Sequence, residues 1–329
     1  MDKENDKVPR VGRVAITAAR AASTPPRTTT TLRDGGGMRR RPGSTGSLAP
    51  QRSAAQRLRE SARARRGPRA ARRPDYAYGV KPDDPLLGRV ALVTGAARRL
   101  GAAIVLELAR AGADVAIHVH SSAKEGVRLA RRVKALGRRA IVVEADLEDA
   151  GVCRALVATV VESLGRLDVL VNNAAIFEPT DPMAADEAAF DRHLAINARA
   201  VYVLTAEAGR HMAARRAGGV VVQLACASAA SPYPGYLPYS ASKAAVVALT
   251  KGFAKAFAPR VRVNAIAPGP VLPPMGSTRA ARAAAAAGTV MGRFGTANDV
   301  AKAVRYLVVD APFVTGAVLP VDGGRHLRG

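Results

Sequence analysis

A tyrosine and a lysine in the second half of the chain have the types and the spacing of a proton-transfer pair. Tyr239 and Lys243 are four residues apart, so on a helix they lie on one face. A free phenol has a pKa near ~10, which is too high for efficient acid–base catalysis at neutral pH. We expect an ammonium group one turn away to lower the pKa of the phenol, so that Tyr239 can protonate a carbonyl oxygen or an imine nitrogen.

Further side chains are candidates for the same chemistry. Cys226 and Ser228 precede Tyr239 by 13 and 11 residues, and either of them is placed to face the reacting group. A thiol is a weak hydrogen-bond donor and acceptor, so the choice between the two matters. Cys226 also suits a small buried hydrophobic position at a strand end. Asn197, in a long predicted helix, is a candidate to hold a water that links Lys243 to solvent.

The stretch VTGAARRLGAA lies between a short apolar run and an apolar-periodic helix. Gly95 allows a tight turn, and Gly101 allows the helix to pack closely against the strand. The amides of such a loop and the helix N-terminus face an anion, as a pyrophosphate requires. We therefore predict a dinucleotide site that includes Gly95, Arg98, Arg99, Leu100 and Gly101.

The end of the second strand indicates which dinucleotide is bound. A site for NAD places a carboxylate about 20 residues past the glycines, on the ribose hydroxyls. This position is His120, followed by Ser121 and Ser122, so no carboxylate stands there to repel a 2′-phosphate. With the loop arginines nearby, the sequence predicts NADPH as the cofactor. The alternative is that His118 and His120 only alternate along the strand, one facing each side of the sheet.

The ends of the later strands supply the remaining predicted contacts. Parallel strands end at the same edge of a sheet, and ligands bind in the crevice at that edge. The Ala-rich stretch STRAARAAAAAG reads as a helix and a candidate lid over the nicotinamide. The predicted contacts are Asp146 and Leu147 with the adenine, Asn172 and Ala174 with the ribose and nicotinamide, Pro268 and Gly269 with the cofactor, and Tyr233 and Tyr236 with the substrate.

These side chains need a sheet to position them. From residue 88 onward, short apolar runs alternate with helical patterns, which is typical of a parallel sheet covered by helices on both faces. We predict a Rossmann-like, doubly wound α/β domain over residues 86–329. Its helices are predicted at about 99–111, 124–137, 150–164, 190–215, 239–257 and from about 298, and its strands are RVALVTG, DVAIHVH, RAIVVEADL, LDVLVNNAA, GVVVQLA, VRVNAIAPG and GAVLPVDGG.

Residues 1–85 differ in composition from the rest of the chain. They are rich in Arg, Pro, Gly, Ser and Thr and nearly free of large apolar residues, so they cannot bury enough surface to offset the ordering entropy. We predict a disordered basic tail, since residues 1–89 carry +13 of the formal net charge of +24. A nucleic-acid-binding arm and a targeting peptide are the alternatives. No aromatic residue precedes Tyr76 to stack on bases, and the acidic start is atypical of a targeting peptide.

The composition also bounds the class of protein. No apolar run approaches the roughly 18 residues of a membrane span. Two cysteines in 329 residues do not make a disulfide scaffold, and they fit a reducing compartment. We therefore expect a cytoplasmic protein that binds no membrane, and we predict no metal site.

The motifs are Thr94-Gly95…Gly101, Asp146, Asn172-Asn173-Ala174, Asn197, Tyr239-x-x-x-Lys243, RVNAIAPGPV, RFGTANDVAKAV and FVTGAVLPVDGG. This set, spread over residues 88–327, resembles the short-chain dehydrogenase/reductase family. The resemblance implies a sheet of seven parallel strands, a homotetramer, and NAD(P)(H)-linked carbonyl or imine chemistry on a small molecule.

One departure from the family pattern narrows the resemblance. The family's loop usually reads Thr-Gly-x-x-x-Gly-x-Gly, but Arg99 stands in place of the middle glycine. TGAARRLG with HVHSSA resembles the pteridine reductase and dihydrofolate-reducing branch, where this arginine reaches the cofactor phosphates and the pterin. Phe177 stands where that branch stacks an aromatic ring on the pterin, a contact worth roughly 0.5–1.5 kcal/mol beyond area burial. The alternative for Phe177 is simple pocket lining.

A second departure concerns the residue 13 positions before the tyrosine. The family usually has a serine there, and the pteridine-reducing branch commonly has an aspartate, whereas this chain has Cys226. Losing a donor aimed at developing negative charge costs on the order of 3 kcal/mol. We expect Cys226 to occupy the site in an enzyme that is active but slower on simple ketones. The alternative is a loop shifted by two residues, which brings Ser228 to the substrate.

The leading hypothesis is an NADPH-dependent reductase that transfers hydride to a pterin, a dihydrofolate or a similar conjugated ring, with Arg99 and Phe177 at the substrate. The runner-up is a carbonyl reductase for 3-oxoacyl thioesters or small ketones. A third hypothesis is a non-catalytic NADPH-binding protein whose tail binds nucleic acid. The presence of Tyr239, Lys243 and Asn197 argues against the third.

Overall fold

The computed structural model describes residues 15–17, 84–273 and 276–328, with side chains described from residue 84 onward. These residues form one sheet flanked by helices. The strands are β1 (Ala15–Thr17), β2 (Val90–Val93), β3 (Asp114–Val119), β4 (Ala140–Glu144), β5 (Val169–Asn172), β6 (Gly219–Leu224), β7 (Val261–Pro268) and β8 (Val318–Val321).

The sheet is doubly wound, as predicted. Its strand order is β1-β4-β3-β2-β5-β6-β7-β8, and all the neighbours from β2 to β8 pair in parallel. The seven parallel strands confirm the predicted Rossmann-like fold. Successive strands are added on one side of β2 as far as β4 and on its other side from β5 onward, so β2 pairs with β3 on one side and with β5 on the other. Such a switch point opens a crevice beyond the carboxyl ends of the strands.

Helices cover both faces of this sheet. Four of the predicted helices end within two or three residues of the observed bounds, because their apolar periodicity is strong. The helices are α1 (Arg99–Arg110), α2 (Ala123–Ala135), α3 (Ala150–Leu164), α4 (Glu187–Leu194), α5 (Ala200–Ala213), α6 (Leu237–Phe257), α7 (Arg279–Ala287) and α8 (Ala297–Arg305).

The core consists of two apolar layers, one on each face of the sheet. On one face, Ile104 of α1 and Val300 of α8 pack with side chains of β2 and β3. On the other face, Leu156 of α3 and Leu204 of α5 pack with side chains of β2 and β5. All four residues of β2 are buried, which explains why the parallel strands read as continuous apolar runs.

Two features differ from the predicted elements. Ala15–Thr17, within the predicted tail, forms an edge strand that pairs antiparallel with β4. An exposed strand edge offers unpaired backbone groups, so a short segment from a distant part of the chain can pair there. The long helix predicted at 190–215 is divided into α4 and α5 by one turn of π-helix at Ala195–Arg199.

The remaining parts of the tail, residues 1–14 and 18–83, lie outside the described residues, so its disorder and the domain boundary at residue 85 stay predictions. Among the helices of the described part, none is both long enough and apolar enough to cross a membrane.

Candidate active site

A cavity of about 800 Å³ opens beyond the carboxyl ends of the parallel strands. It extends from the loop between β2 and α1 to the N-terminal end of α6 and the segment after β7. Sixteen of the predicted site residues line it, which are Gly95, Arg98, Arg99, Leu100, Gly101, His120, Asp146, Leu147, Ala174, Phe177, Cys226, Tyr233, Tyr239, Lys243, Pro268 and Gly269.

The tyrosine and the lysine lie at the start of α6, inside this cavity. Both side chains are buried, and the Lys243 Nζ lies 5.7 Å from the centre of the Tyr239 ring. Nζ donates a hydrogen bond of 2.7 Å to the carbonyl oxygen of Leu224, the last residue of β6. This bond joins the helix to the end of β6 and fixes the position of the ammonium group beside the phenol.

Burial changes the acidity of both groups. It lowers the pKa of Lys243 to about 8, because the ammonium form loses hydration. Burial also raises the pKa of Tyr239, and the neighbouring Cys226 thiol adds to this effect. The expected lowering of the Tyr239 pKa by the lysine is therefore wrong. Tyr239 remains a neutral phenol at pH 7, which is the form that donates a proton.

The structure distinguishes Cys226 from Ser228. Cys226 is half-buried on the cavity wall, close enough to Tyr239 for its thiol to add to the rise in the pKa of the phenol. Ser228 lies in a 3₁₀ turn at Ala227–Ala229, and its hydroxyl is wholly buried without a hydrogen-bond partner among the described residues. Of the two residues, Cys226 lines the cavity and Ser228 does not, which favours Cys226 as the residue that faces the substrate.

Asn197 lies behind the cavity wall rather than on it. It belongs to the π turn, and its side chain forms two hydrogen bonds with the backbone of Ile176, from the amide nitrogen at 2.9 Å and to the carbonyl oxygen at 3.0 Å. Its Nδ2 also donates to the Ser242 hydroxyl. A π turn rotates a side chain out of the regular helical direction, and here it lets Asn197 hold the loop after β5 against α6.

Asn172 is another predicted contact that does not line the cavity. Its Nδ2 donates to Thr205 and Gln223 inside the core, because strand alternation turns it away from the crevice. The next residue, Asn173, lines the cavity instead and donates from Nδ2 to the carbonyl oxygens of Thr94 at 2.8 Å and Gly95 at 3.0 Å. Because neighbouring residues of a strand face opposite sides of the sheet, the sequence could have indicated that Asn173, and not Asn172, faces the cavity.

Three more predicted contacts lie off the cavity wall. Ser121 and Ser122 follow β3 but turn into the start of α2, where the Ser122 carbonyl accepts from the Gly126 amide. Tyr236 stacks on Phe177 with ring centres 4.2 Å apart, so it packs behind that ring. Phe177 itself lines the cavity and meets the Tyr239 ring edge-on at 4.7 Å.

The glycine loop is tightly packed against its neighbours. Gly95 has φ +59°, and a Cβ there would come 2.8 Å from the Cα of Ala174. A Cβ at Gly101 would lie 2.6 Å from the carbonyl oxygen of Gly95. Arg99 adopts φ +51° although it is not glycine, and its guanidinium donates to the Pro273 carbonyl at 3.0 Å. The family's usual glycine at this position is explained by this left-handed backbone.

His118 holds the glycine loop and was not predicted as a site residue. The Gly95 amide donates to its Nδ1 at 3.0 Å, so Nε2 carries the proton and donates to the Ala145 carbonyl at 3.1 Å. Burial lowers the pKa of His118 to about 4, so the neutral form persists. The imidazole thus joins the ends of β2, β3 and β4 beneath the cavity.

Basic side chains at both ends of the cavity lie close to carboxylates. At the loop end, Arg98 pairs with Glu125 at 2.7 Å, and His120 lies 3.9 Å from Asp146. At the other end, Arg192 pairs with Glu178 at 3.0 Å. The walls between these ends are largely apolar, with side chains such as Ile176, Ile196, Val271, Leu272 and Phe294.

Comparisons with known proteins agree with this arrangement. A family model described as enoyl-(acyl carrier protein) reductase matches residues 95–326. The 3-oxoacyl-(acyl-carrier-protein) reductase of Staphylococcus aureus is 34% identical over 241 residues, which cover 72% of this chain and 98% of that protein. An NADPH-dependent aldehyde reductase-like protein of Arabidopsis thaliana is 33% identical over 261 residues, covering 74% of this chain and 96% of that protein.

A solved structure of a dehydrogenase also resembles this chain in fold and sequence. A short-chain dehydrogenase from Burkholderia cenocepacia in complex with NADP superposes with a TM-score of 0.69 at 38% identity, over 73% of this chain and 99% of that chain. The chain therefore belongs to the short-chain dehydrogenase/reductase family and is an oxidoreductase.

The His118 contacts predict a specific pH dependence of stability. Unfolded His118 binds a proton below its usual pKa of 6.5, whereas folded His118 stays neutral down to about pH 4. The stabilising contribution is complete above pH 6.5 and is lost as the pH falls, by about 1.4 kcal/mol per pH unit. We expect the free energy of unfolding of His118→Gln to depend less on pH than that of the wild type, by about 2 kcal/mol between pH 7.5 and 5.0.

Urea unfolding at the two pH values measures this difference. His120→Gln is the matched control, since its side chain is 68% exposed on the same strand end, and it should keep the wild-type dependence. An equal pH dependence for His118→Gln and the wild type would contradict the assignment.

Proposed function

We propose that the protein is an NADPH-dependent carbonyl reductase that acts on a ketone or a 3-oxoacyl thioester. The observation that carries the proposal is the Tyr239 phenol in the cavity, with the Lys243 ammonium and the Cys226 thiol beside it. A neutral phenol in a largely apolar cavity suits protonation of a carbonyl oxygen. The similarity to a 3-oxoacyl reductase and to an aldehyde reductase-like protein supports a carbonyl substrate.

The residues of the cavity fit a nicotinamide dinucleotide. No described side chain caps the N-terminus of α1, and Leu100 and Gly101 of its first turn line the cavity. Uncapped amides at a helix N-terminus are donors for a pyrophosphate. Leu147 would lie against the adenine, and His120 with Arg98 would meet a 2′-phosphate, since positions 120–122 directly after β3 hold no carboxylate. The NADP complex of the Burkholderia relative supports this choice of dinucleotide.

The bound dinucleotide would supply the hydride, and the chain supplies the proton and the geometry. Tyr239 donates its phenolic proton to the substrate oxygen as the carbonyl carbon is reduced. Lys243 stabilises the resulting phenolate, because its ammonium form predominates below its pKa of about 8. Lys243 donates one of its three Nζ–H groups to the Leu224 carbonyl oxygen. The other two can donate to ribose hydroxyls and to solvent. Asn197 acts indirectly, by holding the loop at Ile176.

A pterin or a dihydrofolate is the second candidate substrate. Arg99 and Phe177 both line the cavity, and they favour this candidate. Tyr236 already covers one face of Phe177, so a flat ring would have the other face to stack on. An aspartate at the position of Cys226 would have assisted ring protonation, and the thiol is a poor substitute.

Oxidation of NADPH by the full chain, followed by absorbance, separates the two candidates. A 3-oxoacyl thioester, a small ketone, dihydrobiopterin and dihydrofolate are offered in parallel. We expect turnover on the thioester or the ketone. Turnover on the pterins alone would contradict the carbonyl proposal and favour the second candidate, and no turnover on all four would contradict both.

The Cys226 position predicts the effect of a single substitution. A hydroxyl donates a stronger hydrogen bond than a thiol, and one such bond is worth about 1 kcal/mol. We expect Cys226→Ser to raise kcat on a small ketone by up to about tenfold, measured under saturating NADPH. Ser228→Ala is the control and should leave the rate unchanged, because its hydroxyl is buried away from the cavity. A large loss of activity in Cys226→Ser would contradict the placement of Cys226 beside the reacting carbonyl.

The homotetramer, the cytoplasmic location and the restriction of any nucleic-acid binding to the basic tail remain predictions. The first follows from the family resemblance, and the other two follow from the composition of the chain.

A further inference from the structure

One arginine of the cavity was not among the predicted site residues. Arg325 follows β8 and the pair Gly323-Gly324, whose φ values of +62° and +77° turn the chain back toward the cavity. Its side chain lines the cavity together with Ala285 of α7. A Cβ at Gly288 would overlap the Arg325 Nη1, so the guanidinium lies directly against the C-terminal end of α7. A cation is favoured at this end of a helix.

Arg325 lies at the end of the cavity where the substrate would bind. Tyr233 lines the same end, and the positive charge of Arg325 opposes the rise in the Tyr233 pKa that burial causes. The Cys226 thiol also acts on the Tyr233 phenol, and Cys226 is the neighbour of Tyr239. The guanidinium, Tyr233, Cys226 and the proton donor Tyr239 all line the cavity, and Tyr233 lies close enough to Arg325 and Cys226 to be affected by both.

Arg325 has no acceptor for its guanidinium within residues 84–273 and 276–328. The carboxylate nearest in sequence is Asp322. It accepts hydrogen bonds from the Gly324 and His326 amides and from the His326 ring, and none from Arg325. The other three arginines of the cavity do have acceptors, namely Glu125 for Arg98, Pro273 for Arg99 and Glu178 for Arg192. The half-buried Arg325 guanidinium therefore keeps donors that face the cavity and can bind an acceptor carried by a ligand.

We propose that Arg325 binds an oxyanion carried by the substrate, a carboxylate or a phosphate, at a distance from the carbonyl that is reduced. The planar guanidinium offers two parallel donors that match either group. The proposed reductase would then prefer oxo acids or phosphate-bearing ketones over neutral ketones of the same size. This inference rests on the proposed function, because it deepens the substrate class of the same site.

The test compares 4-oxopentanoate, its neutral methyl ester and 3-oxobutyl phosphate as substrates of the full chain with NADPH. The wild type should show a kcat/KM for the acid or the phosphate that is about 10- to 100-fold higher than for the ester, expressed mainly in KM. Whichever anion is preferred identifies the source of the oxyanion. Arg325→Gln should lose this preference while its kcat/KM for the ester stays within about twofold of wild type.

Two further variants separate the effect of the charge from the effect of the guanidinium geometry and provide a control outside the cavity. Arg325→Lys retains the charge but not the fork of donors, so its KM for the anionic substrate should fall between wild type and Arg325→Gln. Arg328→Gln removes the same charge from the same turn, but Arg328 donates to the Ala287 carbonyl and does not line the cavity, so the preference should persist. An unchanged preference in Arg325→Gln, or a wild-type preference for the ester, would overturn the proposal.

Direct titration separates this proposal from the proposed function. If the wild type reduces none of the three compounds, the carbonyl reductase proposal fails on these substrates. Calorimetric binding of 4-oxopentanoate and of inorganic phosphate to the NADPH complex then tests Arg325 alone. Binding that is weakened about tenfold or more in Arg325→Gln would support the oxyanion site, and equal binding in the two proteins would overturn it.

Discussion

The hydrogen bond between the Lys243 ammonium and the Leu224 carbonyl is the contact on which the rest of the site depends. An ammonium group is costly to bury, and a short bond to a strand-end carbonyl offsets part of that cost while fixing its position. The bond joins α6 to the end of β6, so that Tyr239 faces the cavity one helical turn away. Burial keeps the Tyr239 phenol protonated at neutral pH. Burial also lowers the pKa of Lys243, but only to about 8, so the ammonium form still predominates at pH 7 and can serve as the counter-ion of the proton donor.

The glycine loop is held by a separate set of contacts on the other side of the switch point. Gly95 and Gly101 approach their neighbours so closely that any side chain would collide, and His118 and Asn173 hold the loop from below through its backbone. These contacts are neutral hydrogen bonds between side chains and the loop backbone, so they hold the loop without placing a charge beneath the cofactor site. Arg99 keeps a backbone conformation that favours glycine, and its guanidinium holds the segment after β7 instead. The loop side of the cavity is therefore bounded by strand ends that are joined to one another by hydrogen bonds.

Much of this could be predicted from the sequence, because the informative signals are local. Apolar runs alternating with helical periods predict the parallel sheet, and the four-residue spacing of Tyr239 and Lys243 predicts a shared helix face. The misses arise where tertiary packing decides. Strand alternation predicts that Asn172 faces away from the cavity, but its partners Thr205 and Gln223 are 33 and 51 residues away, and a local pattern does not record them. The pairing of the edge strand β1 and the position of Arg325, which has no acceptor within the described part of the chain, depend in the same way on segments that are distant in sequence.

Removing the phenolic hydroxyl tests the central claim, that Tyr239 is the proton donor and that Lys243 serves it. The measurement is the single-turnover rate of NADPH oxidation with a ketone substrate in Tyr239→Phe, beside the Kd for NADPH. The account predicts a rate lower by about 100-fold or more with a Kd within about twofold of wild type, because general acid catalysis contributes at least that factor. A rate within about tenfold of wild type would contradict it, since one hydrogen bond alone accounts for a change of that size.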